Sequence, residues 1–476
     1  MKYFVPFDIL LFPLCLVVCF FILRGRVNRI SDPWVKKLYY RAFIFKIICV
    51  LGFTIVTAFY FKGGDTVLYY YAVQDMRTAV SYDFNNFWTA LAVNKVTTDS
   101  PLFNFFYYDS NTNDITINYM LSAHNYFSPK LALVPSYLFG NSYLCMNMCF
   151  GFFALAGGIR LFKAFYYFYP HLRRELAVAC LFLPGVAFWS SGLLKDPITF
   201  GCIGFILYAV VQIIFKKKKY FASVMWILFC SYLLYHIKIY ILLVLVLSML
   251  VWFFAEFNKL IKDTTLRFIF TGLTFLGSAL AGYFLLNYLT SLEAARDYQL
   301  DKLLSNAEAQ RQGYALINQT LTGDSHFTID ASNPVSLLLG SIIATFYRPF
   351  VWEINTPIAL LSALESGVFL VTTLYFMFKK GFKNFFTVSF SDGRILMCFV
   401  FAFVFAFAVG SSTANFGALS RYKIPCTPFY LILLLLLFNK TRLPLPGWFN
   451  RIINFAVPET KNYVRHRRIH QPSIKH

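Results

Sequence analysis

A succession of long apolar stretches, cut by short basic segments, leaves this chain few folds to choose from. About 20 helical residues cross the ~30 Å hydrocarbon core of a bilayer, and only helices or closed barrels satisfy their backbone groups there. Predominantly apolar stretches fall at 4–23, 42–61, 142–162, 176–189, 198–215, 220–235, 239–254, 268–289, 356–378, 395–409 and 425–438. The expectation is an all-α, polytopic transmembrane helix bundle of about eleven spans. With 58% hydrophobic residues among 476, the chain has more apolar surface than one soluble core would bury.

Orientation follows from where the cations sit. The formal net charge of +21 would suggest nucleic acid in a soluble protein. Threading the spans alternately puts 30 of the 43 Lys and Arg on one side, among them Arg24, Arg26, Arg29 and the run Lys216 to Lys219. That asymmetry is the positive-inside bias, so the N-terminus is expected outside, the C-terminus in the cytoplasm, and no nucleic-acid partner. The ten cysteines fall in or beside apolar stretches, which speaks against a disulfide framework or a zinc site. The first stretch has no basic leader or small-residue cleavage site and is expected to be a retained span.

The chain divides on this basis into two N-terminal spans (1–61), a first extracytoplasmic loop (62–141) and a central six-span bundle (142–289). A second extracytoplasmic loop (290–355), three C-terminal spans (356–438) and a basic cytoplasmic tail (439–476) follow. The first loop opens with G-G-D-T-V-L-Y-Y-Y-A, a glycine-permitted turn leading into a short interfacial helix. The segment from Tyr119 to Ser136 is expected to lie on the surface or re-enter. In the second loop Leu300, Leu303, Leu304 and Ala307 follow helical spacing and predict an amphipathic helix. Val335 to Tyr347 is too short to cross and would put Lys379, Lys380 and Lys383 outside if it did, so it is expected to re-enter.

Charged residues at span ends are costly unless they meet water, a partner or a substrate. Lys195 and Asp196 sit in W-S-S-G-L-L-K-D-P between two spans. Lys238, Arg348, Arg421 and Lys423 sit at other boundaries on the same side, beside Asp65 and Glu353. Cations and carboxylates gathered at one boundary suit an anionic phosphate attached to lipid, the cations holding a leaving phosphate and a carboxylate taking an acceptor's proton. Snorkelling of Lys and Arg, and helix capping by Asp65, are the bland alternatives. His124 and His236 read as satisfied or interfacial rather than catalytic, and Glu365, within a span, as a polar contact inside the bundle or, alternatively, part of a gate on a lipid path. No HExxH, CxxC, GxxxxGK or GxSxG motif is present.

The stretches G-G-D-T-V-L-Y-Y-Y-A, L-P-G-V-A-F-W-S-S-G-L-L-K-D-P-I-T-F and S-R-Y-K-I-P-C-T-P-F together resemble multi-spanning glycosyltransferases of the C superfamily and related bacterial polysaccharide-assembly membrane proteins. The resemblance implies an enzyme of the bacterial cytoplasmic membrane that moves a sugar from a polyprenyl-phosphate-linked donor to an extracytoplasmic glycan or lipid acceptor. It implies Asp65 as catalytic base and Lys195, Asp196, Lys238 and Arg421 facing donor phosphate or sugar; Arg348 and Glu353 join them as substrate-binding candidates on position alone. The first outer loop lacks a paired D-x-D or E-x-D, which argues against an obligatory metal, and no cofactor is expected. A repeat-unit polymerase, a lipid-linked glycan flippase and a non-catalytic envelope scaffold stay open as alternatives.

Overall fold

The computed structural model describes residues 6–61, 63–107, 117–258, 326–330, 332–354 and 356–458, with isolated positions between 263 and 313. Every regular element among them is helical, and the protein is an all-α, polytopic membrane helix bundle. The expected span 268–289 and the amphipathic helix around Leu300 to Ala307 lie outside the described residues, as does the tail beyond residue 458.

Helix α1 (Asp8–Val27) and α2 (Pro33–Ile55) form the first pair. Asp32 starts α2 by accepting from the Trp34 amide at 2.8 Å, with Pro33 in the first turn where its missing N–H costs nothing. A π-helical turn, Val56–Phe61, prolongs α2 towards the first loop. That loop folds into α3 (Asp65–Tyr82), α4 (Asn85–Ala92), α5 (Phe103–Tyr107), α6 (Ile117–Met120) and α7 (Ala123–Leu138). The α7 segment, expected to lie on the surface or re-enter, is a packed cap instead. Its residues Asn125 to Lys130 are buried, and Phe127 stacks on His236 with ring centroids 4.9 Å apart.

Helix α8 (Tyr143–Phe168) packs most closely on α11 (Lys195–Ile214). The reason is small residues at the crossing: a Cβ on Gly204 would lie 2.0 Å from the Gly157 carbonyl oxygen, so the two backbones touch. Between them the expected span 176–189 is broken. It consists of α9 (Arg173–Ala177), a π-helical turn Val178–Phe182, an extended Leu183 and α10 (Pro184–Trp189). Pro184 has no amide to continue the ladder and holds its predecessor out of the helical region.

Helix α12 (Tyr220–Asn258) consists of two helical arms joined at one extended residue, Lys238 (φ −153°, ψ 80°). Its contacts with α11 show that it folds back there. Trp226 packs on Phe205, Lys238 meets Asp196, and Trp252 stacks on Phe215 at the far end of α11, about 28 Å from Asp196 at 1.5 Å per residue. The two arms are therefore the two spans expected at 220–235 and 239–254.

Helix α13 (Pro334–Tyr347) is a 14-residue apolar helix, shorter than a membrane crossing. It runs antiparallel to α16 (Gly393–Ser412), with Thr345 donating to the Ala406 carbonyl at 2.8 Å and Phe346 against Phe403. The chain then climbs to Thr356, which caps α14 (Pro357–Lys380), and Ser366, nine residues into α14, donates to the Arg348 carbonyl. The chain thus reverses direction between α13 and α14, the course that a re-entrant segment would take. After α15 (Phe382–Ser389) and α16, the last expected span appears as a pair bent by 65°, α17 (Phe416–Tyr422) and α18 (Thr427–Lys440). Every residue of α18 from Thr427 to Phe438 is buried, which makes it the central helix of the bundle. A short helix α19 (Gly447–Ala456) closes the described chain and packs on the π-helical turn Val178–Phe182.

The ends of these helices define two faces. One gathers the ends of α8, α11 and α12 with the basic loops, where Arg394 lies 3.8 Å from Glu256 and Arg174 donates to the Val457 carbonyl. The other gathers Asp65, Lys195, the turn at Lys238 and Arg421.

Candidate functional site

Each charged residue of this second face is placed by a break in a helix. Gly64 takes φ +94°, a conformation L side chains resist, and so turns the chain from α2 into α3. Asp65 follows as the first residue of α3, yet its side chain makes no capping bond to that helix. Its Oδ2 instead accepts from Arg421 Nη2 at 2.9 Å. Lys195 and Asp196 open α11 after an extended Leu194, with Pro197 behind them in the first turn. Arg421 lies in α17, which Asn415 starts by accepting from the Gly417 and Ala418 amides.

Asp196 joins the pieces. It has no exposed surface; its Oδ1 accepts from Lys238 Nζ at 2.7 Å and its Oδ2 faces Arg421 Nε at 3.4 Å. Arg421 therefore bridges both carboxylates with one planar fork. Lys195 Nζ donates to Asn125 Oδ1 at 2.6 Å, and Tyr69 OH donates to the same oxygen at 3.5 Å. Lys238 also lies 4.6 Å over the Tyr422 ring. Three cations face two carboxylates, so the cluster holds a net positive charge of one. It sits at the N-terminal end of α11, a helix of 20 residues and about 30 Å, the length of a membrane crossing.

Asp65 is the accessible carboxylate, its side chain about a third exposed (34%). Burial pushes its carboxyl up, but the charge and hydrogen bond of Arg421, with Lys195 and Tyr119, outweigh that and hold it below the ordinary aspartate value. Burial and the Asp65 charge push the Tyr119 phenol up, so it stays protonated as a donor.

Five of the seven sequence candidates, Asp65, Lys195, Asp196, Lys238 and Arg421, are thus drawn together. Arg348 and Glu353 are not. They pair with each other across the turn after α13, Arg348 Nε reaching both carboxylate oxygens at 3.0 and 3.1 Å with its guanidinium 4.9 Å from the Phe327 ring. Lys423 points elsewhere too, donating to Ser366 Oγ at 2.9 Å.

Sequence reasoning passed over Asn125, Tyr69 and Tyr119, neutral residues in a polar loop that carry no signal of their own. It also passed over Lys46, whose signal was present: a single cation inside an apolar stretch. Lys46 is buried, and its ammonium donates to the Ala187 carbonyl at 2.9 Å and to the hydroxyls of Ser190 and Ser191. Asn147 accepts from the Leu193 amide at 2.7 Å and donates to Thr54. These two residues fix the loop that delivers Lys195 and Asp196.

Among the described residues no group of three or more His, Cys, Asp or Glu side chains is placed to hold a metal ion. The chain matches no family model, no curated protein and no solved structure.

Proposed function

We propose that this cluster binds the phosphate of a polyprenyl-phosphate-linked sugar and that the protein is a membrane glycosyltransferase. The observation that carries the proposal is the pairing of an accessible Asp65 with Arg421, itself anchored on a wholly buried Asp196. In this reading Asp196 does not touch the sugar; it holds Lys238 and Arg421 in place. Donor phosphate competes with Asp65 for Arg421 and for Lys195, and the displaced carboxylate, relieved of its partner, becomes a better base. The acceptor hydroxyl oxygen attacks the anomeric carbon, its proton passes to Asp65, and the bond to the phosphate oxygen breaks with the electron pair leaving on the phosphate. Lys195, Lys238 and Arg421 stabilise that anion. The basic face is then cytoplasmic and the cluster faces the extracytoplasmic side, where a lipid-linked donor meets a glycan or lipid acceptor.

Two variants in reconstituted bilayers test it. Asp65→Asn keeps the shape but cannot take the proton, so sugar transfer should fall by about 10²-fold or more while donor binding is retained or tightened, the competing carboxylate charge being gone. Arg421→Lys keeps the charge but cannot span both carboxylates and a phosphate, so donor affinity should weaken as well. Undiminished transfer by Asp65→Asn would remove the basis of the proposal.

A further inference from the structure

On the basic face, away from the site above, a cavity of about 370 Å³ opens between α1, α2, α8, α11 and the first arm of α12. Four cations line it, Arg26, Arg160, Lys163 and Lys219, and no carboxylate does. They carry like charge around one cavity of this size, with no acidic side chain in its lining to offset them. Arg160 lies 3.7 Å over the Phe205 ring and spends one donor on the Ala156 carbonyl, the one hydrogen bond that its five donors make among the described residues. Lys163 has only the face of the Tyr39 ring, 5.4 Å away, and makes no hydrogen bond or ion pair among the described residues. The Tyr39 hydroxyl, in a residue 1% exposed that lines the same cavity, has no hydrogen-bond partner among the described residues. Uncompensated cations around an unsatisfied buried hydroxyl describe a site for an anion with several oxygen acceptors.

The walls say what kind of anion. Ile22, Leu23, Leu155 and Trp226 make much of the remaining lining apolar, beside Tyr208, Gln212 and Ser223, and the lining residues Ile22 and Ala222 are exposed next to the exposed apolar side chains Phe21 and Phe221 on the outer sides of α1 and α12. A molecule reaches the cations sideways from the bilayer, with its chain against the apolar wall. We propose that this cavity binds the phosphate of an anionic phospholipid drawn from the leaflet at the basic face. The inference stands apart from the glycosyltransferase reading, because none of these residues belongs to the Asp65 cluster.

The test is a lipid titration of the delipidated full-length protein followed by native mass spectrometry. Its probes are phosphatidylglycerol, phosphatidylcholine and inorganic phosphate. Phosphatidylglycerol should be retained at least about tenfold more strongly than phosphatidylcholine, and millimolar inorganic phosphate should not displace it. Arg26 and Lys219 are exposed, so Arg26→Gln and Lys219→Gln leave packing intact, and each should weaken phosphatidylglycerol retention about fivefold. Tyr39→Phe, which only removes the unpartnered hydroxyl, should weaken it while leaving thermal stability unchanged or raised. Lys217→Gln, exposed and outside the cavity, should have no effect. Equal retention of the two lipids, an equal loss in Lys217→Gln, or unchanged retention in Arg26→Gln and Lys219→Gln would overturn the proposal. Displacement by inorganic phosphate would overturn the lipid assignment in favour of a soluble anion.

Discussion

Asp196 and Asp65 are both aspartates paired with Arg421, yet burial gives them different work. Asp196 has no exposed surface and is the carboxylate of Lys238. Asp196→Ala strands that ammonium in a buried position, so it should cost about 3–5 kcal/mol, read as a drop in thermal unfolding midpoint in detergent. Asp65→Asn, at a partly exposed pair, should cost about 1 kcal/mol or less. The pH dependence of the Asp65 contribution has a definite sign. Its folded value is depressed, so the contribution is fully present above the ordinary value near 3.8 and is lost as pH falls through the lower folded value. The stability difference between wild type and Asp65→Asn should therefore stay flat from neutral pH down to about 3.8 and shrink as pH falls from there through the lower folded value. Charged residues of this cluster were legible in the sequence because a charge at the end of an apolar stretch must be accounted for energetically. Asn125 and Tyr69 carry no such cost and were not. Arg348 and Glu353 looked like the others but satisfied each other locally, five residues apart across a turn.

At the scale of elements, the broken segment 173–189 decides how the site is delivered. The short α10 has orphan amides at one end and orphan carbonyls at the other, inside the bundle. Glu365 from α14 accepts from the Gly185 amide at 2.7 Å, and Lys46 from α2 takes the Ala187 carbonyl. A negative group at the helix start and a positive one at its end also complement the helix dipole. Glu365, read from the sequence as a polar contact inside the bundle, has that role. Glu365→Gln keeps an acceptor and should be tolerated, whereas Glu365→Leu leaves the Gly185 amide unpaired and should cost about 1–3 kcal/mol. Lys46→Met should cost a similar amount and also disorder the loop bearing Lys195 and Asp196, so it should lower donor binding where Glu365→Gln does not. Thermal unfolding and donor binding measured on the three variants separate these outcomes. Pro184 announces the break in the sequence; the partners that make it tolerable come from helices more than a hundred residues away in the chain, and no local pattern names them.

For the whole molecule, two opposed faces follow from alternate crossing of the spans. Cysteine labelling in intact membrane vesicles should reach Asp83→Cys and Lys217→Cys, both exposed, from opposite sides, Lys217→Cys from the cytoplasm. Labelling of both from one side would overturn the topology on which the proposed function rests. The ten native cysteines are free and buried or half-buried, so background labelling should be low. Against about eleven spans expected, seven helices among the described residues are long and apolar enough to cross, eight if the bent pair α17 and α18 is one span. The sequence alone determined the helical, membrane-spanning class and placed a hinge at Lys238. It could do so because a bilayer imposes length and polarity on each segment separately, and a segment's own composition answers that demand. What only the tertiary structure decided is which charges meet: that Arg421 bridges Asp65 and Asp196, that Arg348 keeps to Glu353, and that Arg160 and Lys163 are left uncompensated around Tyr39. Those pairings depend on distances between helices far apart in the chain, set by close approaches such as Gly157 on Gly204, and side-chain packing rather than hydropathy fixes them.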